Sequence, residues 1–65
     1  MLAENIKRLR KEQNLSQDQL ARKAGITYTT LAKIESGVNQ NPTIKTLQGI
    51  ATALNATLDE LVKNR

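Results

Sequence analysis

Apolar side chains recur three or four positions apart along most of this 65-residue chain. That spacing places them on one face of a helix, whereas a half-buried strand would alternate apolar and polar residues. The apolar series are Leu2, Ile6 and Leu9; Leu20, Ala21 and Ala24; Leu31 and Ile34; Leu47, Ile50, Ala51 and Leu54; and Leu58, Leu61 and Val62. The pattern predicts an all-α fold with helices near residues 2–13, 17–24, 28–36, 44–54 and 58–63.

The predicted helices begin and end at residues suited to helix caps. Ser16 and Thr57 are each followed three residues later by Gln or Glu, so that each can open a capping box. Two further N-caps are expected at Thr27 and Thr43. Residues that accept a left-handed backbone stand where helices should end, at Asn14, Gly25, Gly37 and Asn55. The short turns leave no room for a linker, and we expect residues 1–65 to form a single domain.

Gly49 does not fit the helical pattern around it. It lies inside the fourth predicted helix, where glycine costs ~1 kcal/mol relative to alanine. Close approach of another backbone would account for a glycine at this position.

The charges are unevenly distributed along the chain. Ten Lys and Arg residues against six Asp and Glu give a net charge of +4. The whole excess lies in residues 1–45, which carry eight basic and four acidic side chains, whereas residues 46–65 are balanced. A basic excess attracts polyanions such as nucleic acids, although an ordinary solvated surface would show the same charge.

The composition argues against an enzyme. The chain has no cysteine and no histidine, which removes disulfides, thiolate nucleophiles, imidazole bases and nearly all zinc chemistry. The few carboxylates are scattered over helix surfaces, and there is no glycine-rich phosphate loop. We therefore expect no catalysis, no cofactor and no metal. The absence of a long apolar run predicts a cytoplasmic protein without a membrane span.

The second and third predicted helices form a helix-turn-helix over residues 16–37. Two short helices joined by a tight turn at Gly25 must cross at a steep angle, and the small side chain of Ala21 allows close approach. In this arrangement the second helix can enter the DNA major groove, which is ~12 Å wide. If Leu31 and Ile34 point inward, the outward residues are Tyr28, Thr29, Ala32, Lys33 and Ser36.

The motifs of this block and of the residues after it resemble those of the Cro/repressor-type (Xre family) helix-turn-helix proteins. The matching positions are Leu15-Ser16-Gln17 with Leu20-Ala21, Gly25-Ile26-Thr27, Leu31 with Ile34-Glu35-Ser36-Gly37, and Asn41-Pro42-Thr43 with Leu47, Ile50-Ala51, Leu54 and Leu58. The resemblance covers essentially the whole chain. It implies a compact five-helix bundle of the lambda-repressor-like type, binding to a double-stranded DNA operator, and a homodimer.

The same resemblance implies roles for individual residues. Base contacts are expected from Tyr28, Thr29 and Lys33, and phosphate contacts from Gln17, Ser36, Gln40 and Asn41. Arg10 and Glu35 are expected to form a structural ion pair that orients the recognition helix, 28–36. Tyr28 departs from the glutamine or serine common in the family. It could touch a thymine methyl group, reach a phosphate through its hydroxyl, or simply lie on the surface.

The C-terminal residues provide a candidate dimer interface. Residues 46–65 carry no net charge and follow the DNA-reading block, where a second copy would not obstruct the groove. Leu58, Leu61 and Val62, with the end of the fourth helix, are therefore expected to form or flank the contact. The alternative is that they close the core of the monomer.

Two other functions use the same fold. One is an antitoxin-like or other protein-binding module with an unknown protein partner. The outer face of the recognition helix is neither acidic nor hydrophobic, which argues against a helix-turn-helix that has lost DNA binding. The other is RNA binding, which the composition disfavours because Tyr28 is the sole aromatic residue and cannot form a stacking platform alone. Sequence-specific DNA binding by a transcriptional regulator, in the manner of a repressor, remains the interpretation that the residues favour.

Overall fold

The computed structural model describes residues 2–63, and these residues form five α helices and no strand. The helices are α1 (Leu2–Glu12), α2 (Gln17–Ala24), α3 (Tyr28–Glu35), α4 (Ile44–Leu54) and α5 (Leu58–Val62). The predicted all-α class is confirmed; α1, α3 and α5 each end one residue earlier than the apolar pattern indicated. Across the described residues, no helix has the length and apolar character needed to cross a membrane.

The helix boundaries follow from short-range hydrogen bonds. Each N-cap side chain accepts a hydrogen bond from the backbone N–H three residues later, at Ser16, Thr27, Thr43 and Thr57. Both capping boxes are closed, because the N–H groups of Ser16 and Thr57 donate to the side chains of Gln19 and Glu60. The left-handed residues are Asn14, Gly25, Gly37 and Asn55, with φ between 55° and 85°. The predicted caps are therefore present.

All five helices contribute to one apolar core. Seven of its side chains are at most 1% exposed: Ile6, Leu20, Leu31, Ile34, Ile50, Leu54 and Leu61. Leu2, Leu9, Leu15, Ile26 and Leu58 are partly buried and pack around it. Because burial of each such side chain contributes ~1.5–3 kcal/mol, this core holds the short helices at fixed angles.

At Gly49 the backbone of α4 lies close to the end of α2. A Cβ atom at this position would lie 2.5 Å from the backbone oxygen of Ala24, the last residue of α2. Any side chain here would push α4 away from α2. The contact explains the glycine that the helical pattern left unexplained.

Two side-chain amides, one from α1 and one from the residue that follows it, bind the backbone of the C-terminal half of the chain. The Asn5 side chain is 3% exposed, and its Nδ2 donates to the backbone oxygens of Leu61 at 2.9 Å and Lys63 at 2.8 Å. The Nε2 of Gln13 donates to the backbone oxygen of Leu54 at 2.6 Å. Helix α1 therefore holds the end of α5 through Asn5, and Gln13 just after α1 holds the end of α4.

Candidate nucleic-acid interface

Helices α2 and α3 pack against the core through one face each. Leu20 and Ala21 of α2, and Leu31 and Ile34 of α3, are at most 2% exposed. At the turn between the helices, the N–H of Ile26 donates to the backbone oxygen of Ala21 at 3.0 Å, with Gly25 in the left-handed conformation. The opposite face of α3 is left on the surface of the molecule.

This outer face of α3 is polar and accessible. Tyr28 is 52% exposed, and Thr29, Lys33 and Ser36 are also exposed, whereas Ala32 is half-buried. Within residues 2–63 the amino group of Lys33 has no hydrogen-bond or ion-pair partner, so that its donors are available to a ligand. The structure thus brings the three predicted base-contacting residues together on one accessible surface.

The predicted phosphate-contacting residues after α3 lie around its C-terminal end. The hydroxyl of Ser36 donates to the backbone oxygen of Lys33 at 3.2 Å and accepts from the N–H of Val38 at 3.4 Å, which shapes the turn. Gln40 and Asn41 are exposed in the loop that leads to α4. Ser36 and Gln40 line the same surface groove as Lys7 of α1. Lys7 carried no sequence signal, because it is one of several basic residues on α1.

An ion pair between α1 and the C-terminal end of α3 lies largely buried. The guanidinium of Arg10 donates to both carboxylate oxygens of Glu35, from Nε to Oε2 at 2.8 Å and from Nη2 to Oε1 at 3.0 Å. The side chains are 11% and 2% exposed. Arg10 also donates from Nη1 to the backbone oxygen of Leu15 at 2.9 Å. The pair expected from the sequence is present and joins α1, the segment before α2, and the end of α3.

Gln17 takes part in the same network, which the sequence did not indicate. Its Nε2 donates to Oε1 of Glu35 at 2.9 Å, and its side chain is half-buried at the first position of α2. One amide proton of Gln17 is therefore engaged by Glu35. Within the part of the chain that the structure describes, the other amide proton and the amide oxygen have no partner, and a phosphate contact stays a prediction.

The three residues assigned to a dimer interface differ in burial. Leu61 is 0% exposed and belongs to the core, so that it has no surface to offer a second copy. Leu58 is half-buried and packs on the core. Val62 is 51% exposed. The assignment of Leu61 to the interface is therefore corrected to a core role, and Val62 is the residue of the three whose surface is largely open.

The remaining surface charges include both paired side chains and lysines without an ion-pair partner in residues 2–63. Arg8 pairs with Glu12 and Arg22 with Asp18, both between exposed side chains four residues apart, where such pairs contribute little. Four exposed lysines have no ion-pair partner in the described part of the chain: Lys11, Lys23, Lys33 and Lys45. Residues 2–63 contain no group of three acidic or metal-ligating side chains that could hold a metal ion.

Comparison with known proteins identifies similar chains. Residues 6–61 match the sequence profile of a helix-turn-helix family. The chain is 32% identical over 65 residues to the HTH-type transcriptional regulator SinR of Bacillus subtilis, covering 100% of this chain and 59% of SinR. It is 39% identical over 61 residues to the immunity repressor protein of Bacillus phage phi105, covering 94% of this chain and 42% of the repressor. The chain thus spans about half of the length of these two relatives.

The fold is also similar to that of a protein solved with DNA. The structure of SinR, the master regulator for biofilm formation, in complex with DNA aligns with a TM-score of 0.93 at 33% identity. The alignment covers 97% of this chain and 100% of the SinR chain. The similarity to SinR in structure and the similarity in sequence therefore extend over nearly the same residues of this chain.

Proposed function

The chain belongs to the helix-turn-helix family, and we propose that it binds double-stranded DNA sequence-specifically as a transcriptional regulator, in the manner of a repressor. The observation that carries this proposal is the exposed polar face of α3, opposite the buried Leu31 and Ile34. A helix exposed in this way can lie in the major groove while α2 crosses the phosphate backbone. The similarity to SinR, which is solved in complex with DNA, supports DNA binding by this chain.

In this proposal the residues of the outer face divide into two groups. Tyr28, Thr29 and Lys33 contact base edges, and the free amino group of Lys33 suits the O6 and N7 acceptors of guanine. The phosphate contacts come from Gln17, Ser36, Gln40 and Asn41, which surround the ends of α2 and α3. Neutral side chains and backbone N–H groups commonly hold phosphates in this way and fix the register of the protein on the duplex.

We further propose that the protein acts as a two-fold dimer on DNA. One recognition helix reads only a few base pairs, and useful selectivity therefore needs two half-sites about 34 Å apart. Val62, exposed at the end of α5, and the half-buried Leu58 would lie at or beside the contact between copies. Such a small contact would form mainly when DNA brings two copies together.

The proposal involves neither catalysis nor a cofactor. It places the protein in the cytoplasm, because the relatives in the comparison are regulators of a bacterium and a phage, whose DNA lies there.

Selection of duplexes from a random pool tests the proposal. We expect enrichment of a two-fold symmetric sequence and two protein chains per duplex at saturation. The enriched duplex should bind far more tightly than its separated single strands. Failure to enrich any sequence would contradict the proposed function, and a single half-site with one bound chain would contradict the dimer.

A further inference from the structure

The hydrogen bond between Gln17 and Glu35 joins the N-terminal end of α2 to the C-terminal end of α3. The turn at Gly25 connects the end of α2 to the start of α3. Gln17 is the first residue of α2 and Glu35 the last of α3, and their side chains meet at 2.9 Å. The two helices are therefore held at both ends, which restricts the angle between them.

In addition to their apolar packing, α2 and α3 are joined directly by the hydrogen bond from Gln17 to Glu35. Among the described residues, no other side-chain hydrogen bond or ion pair joins α2 to α3. Arg10 holds the same carboxylate, but it does so from α1 and reaches only the segment before α2, at Leu15. The carboxylate of Glu35 is almost completely buried, so that water does not compete for the contact.

We propose that Gln17 is a positioning residue for base recognition: through Glu35 it sets the angle of α3 relative to α2. The inference rests on the proposed function, in which α2 lies across the backbone while α3 reads the bases. Hydrogen bonds to base edges depend steeply on distance and angle, whereas contacts with phosphates tolerate small displacements. A tilt of α3 against an anchored α2 therefore weakens the correct sequence most.

This role makes a different prediction from a phosphate contact. A side chain that only touches a phosphate carries no sequence information, and its removal weakens binding to all duplexes alike. Removal of a positioning residue lowers the ratio between the affinities for the enriched duplex and for a scrambled one. The ratio, rather than either affinity, is the quantity to measure.

The test uses the full chain, the duplex enriched in the selection experiment, and a scrambled duplex of the same length and composition. Gln17→Met keeps the length of the side chain but has no donor for Glu35, and Gln17→Ala removes the side chain. Gln19→Met is the matched control, because Gln19 lies on the same helix, accepts a hydrogen bond from Ser16 and makes no bond to Glu35. It destabilises α2 without touching the contact.

We expect both Gln17 variants to lose about ten-fold in affinity for the enriched duplex, the size expected when one base contact is weakened by the tilt of α3. Their affinity for the scrambled duplex should fall by clearly less, because only the phosphate contact of Gln17 is lost there and the other phosphate contacts tolerate a small tilt. Gln19→Met should leave the ratio of affinities unchanged.

Equal losses on both duplexes would overturn the inference and assign Gln17 to the phosphates alone. Partial unfolding of a variant does not obscure the result, because a smaller folded fraction lowers both apparent affinities by the same factor. If the wild-type chain enriches no duplex, the proposed function fails, and the positioning role falls with it. Enrichment followed by an unchanged ratio contradicts only the positioning role.

Discussion

Replacement of Gly49 by alanine sets two physical effects against each other. In an exposed helix the change would add ~1 kcal/mol of stability, because alanine is the best helix former and glycine among the poorest. At position 49 the added Cβ would lie 2.5 Å from the oxygen of Ala24, a separation that Cβ atoms essentially never show. The obstacle is backbone rather than a flexible side chain, and it cannot turn away.

The magnitude follows from the displacement that the methyl group requires. Ordinary contact begins near 3.4 Å, so the added Cβ and the oxygen of Ala24 must separate by about 0.9 Å, which moves α4 away from the end of α2. That movement loosens the packing of Ile50 and Ala51, which are 0% and 5% exposed. Insertion of one group into a packed core costs ~1–3 kcal/mol, and the rigid backbone obstacle places Gly49→Ala in the upper half of that range. Subtraction of the ~1 kcal/mol gain in helix propensity leaves a net loss of about 1–2 kcal/mol.

Urea denaturation followed by circular dichroism measures this loss. Gln48 supplies the control, because it is the exposed neighbour of Gly49 within the same helix. Gln48→Ala should be more stable than Gln48→Gly by ~1 kcal/mol, which establishes the helix propensity in α4 itself. For a domain of this size each kcal/mol shifts Tm by about 4–8 °C. A Gly49→Ala variant as stable as the wild type, or more stable, would refute the explanation from close helix approach.

Three further changes test the other features of the site. Glu35→Ala should lower the free energy of unfolding by ~3–5 kcal/mol, because Arg10 is left buried without its partner. Urea denaturation of Arg10→Ala, Glu35→Ala and the double variant measures this loss, and additive losses would show that the two residues do not interact. Lys33→Ala should cost ~1–3 kcal/mol on the enriched duplex and relax the preference at one base pair; an equal loss on scrambled DNA would contradict base reading. Val62→Glu should abolish cooperative binding of two copies to a duplex with two half-sites, while affinity for a single half-site is retained; unchanged cooperativity in sedimentation or gel-shift titrations would exclude Val62 from the contact.

Features that depend on neighbouring residues in the chain could be predicted from the sequence. The capping box of Ser16 and Gln19 spans three positions, and the left-handed backbone at Asn55 depends on the residue itself. The partnership of Arg10 and Glu35 is different, because 25 residues separate the two and only the family resemblance indicated it.

Other features require the packed structure. Apolar periodicity identifies Leu61 as an inward-facing residue, but it cannot distinguish the core of the monomer from an interface between copies. The periodicity also marks Gly49 as unusual without naming Ala24 as its neighbour. For Gln17 the residue type allows either a phosphate or a carboxylate partner, and the choice depends on how α2 and α3 cross.

The hydrogen bonds of the Asn5 side chain affect the order in which the helices fold and unfold. It binds the oxygens of Leu61 and Lys63 across sequence separations of 56 and 58 residues, which makes it one of the most non-local contacts in the molecule. Closing so long a loop has a large entropic cost, and contacts of this kind tend to form late in folding. Helix α5 has only five residues and cannot persist alone. We therefore expect amide hydrogen exchange in α5 to report on undocking from α1, with Asn5→Ala speeding exchange there before it affects α2 and α3.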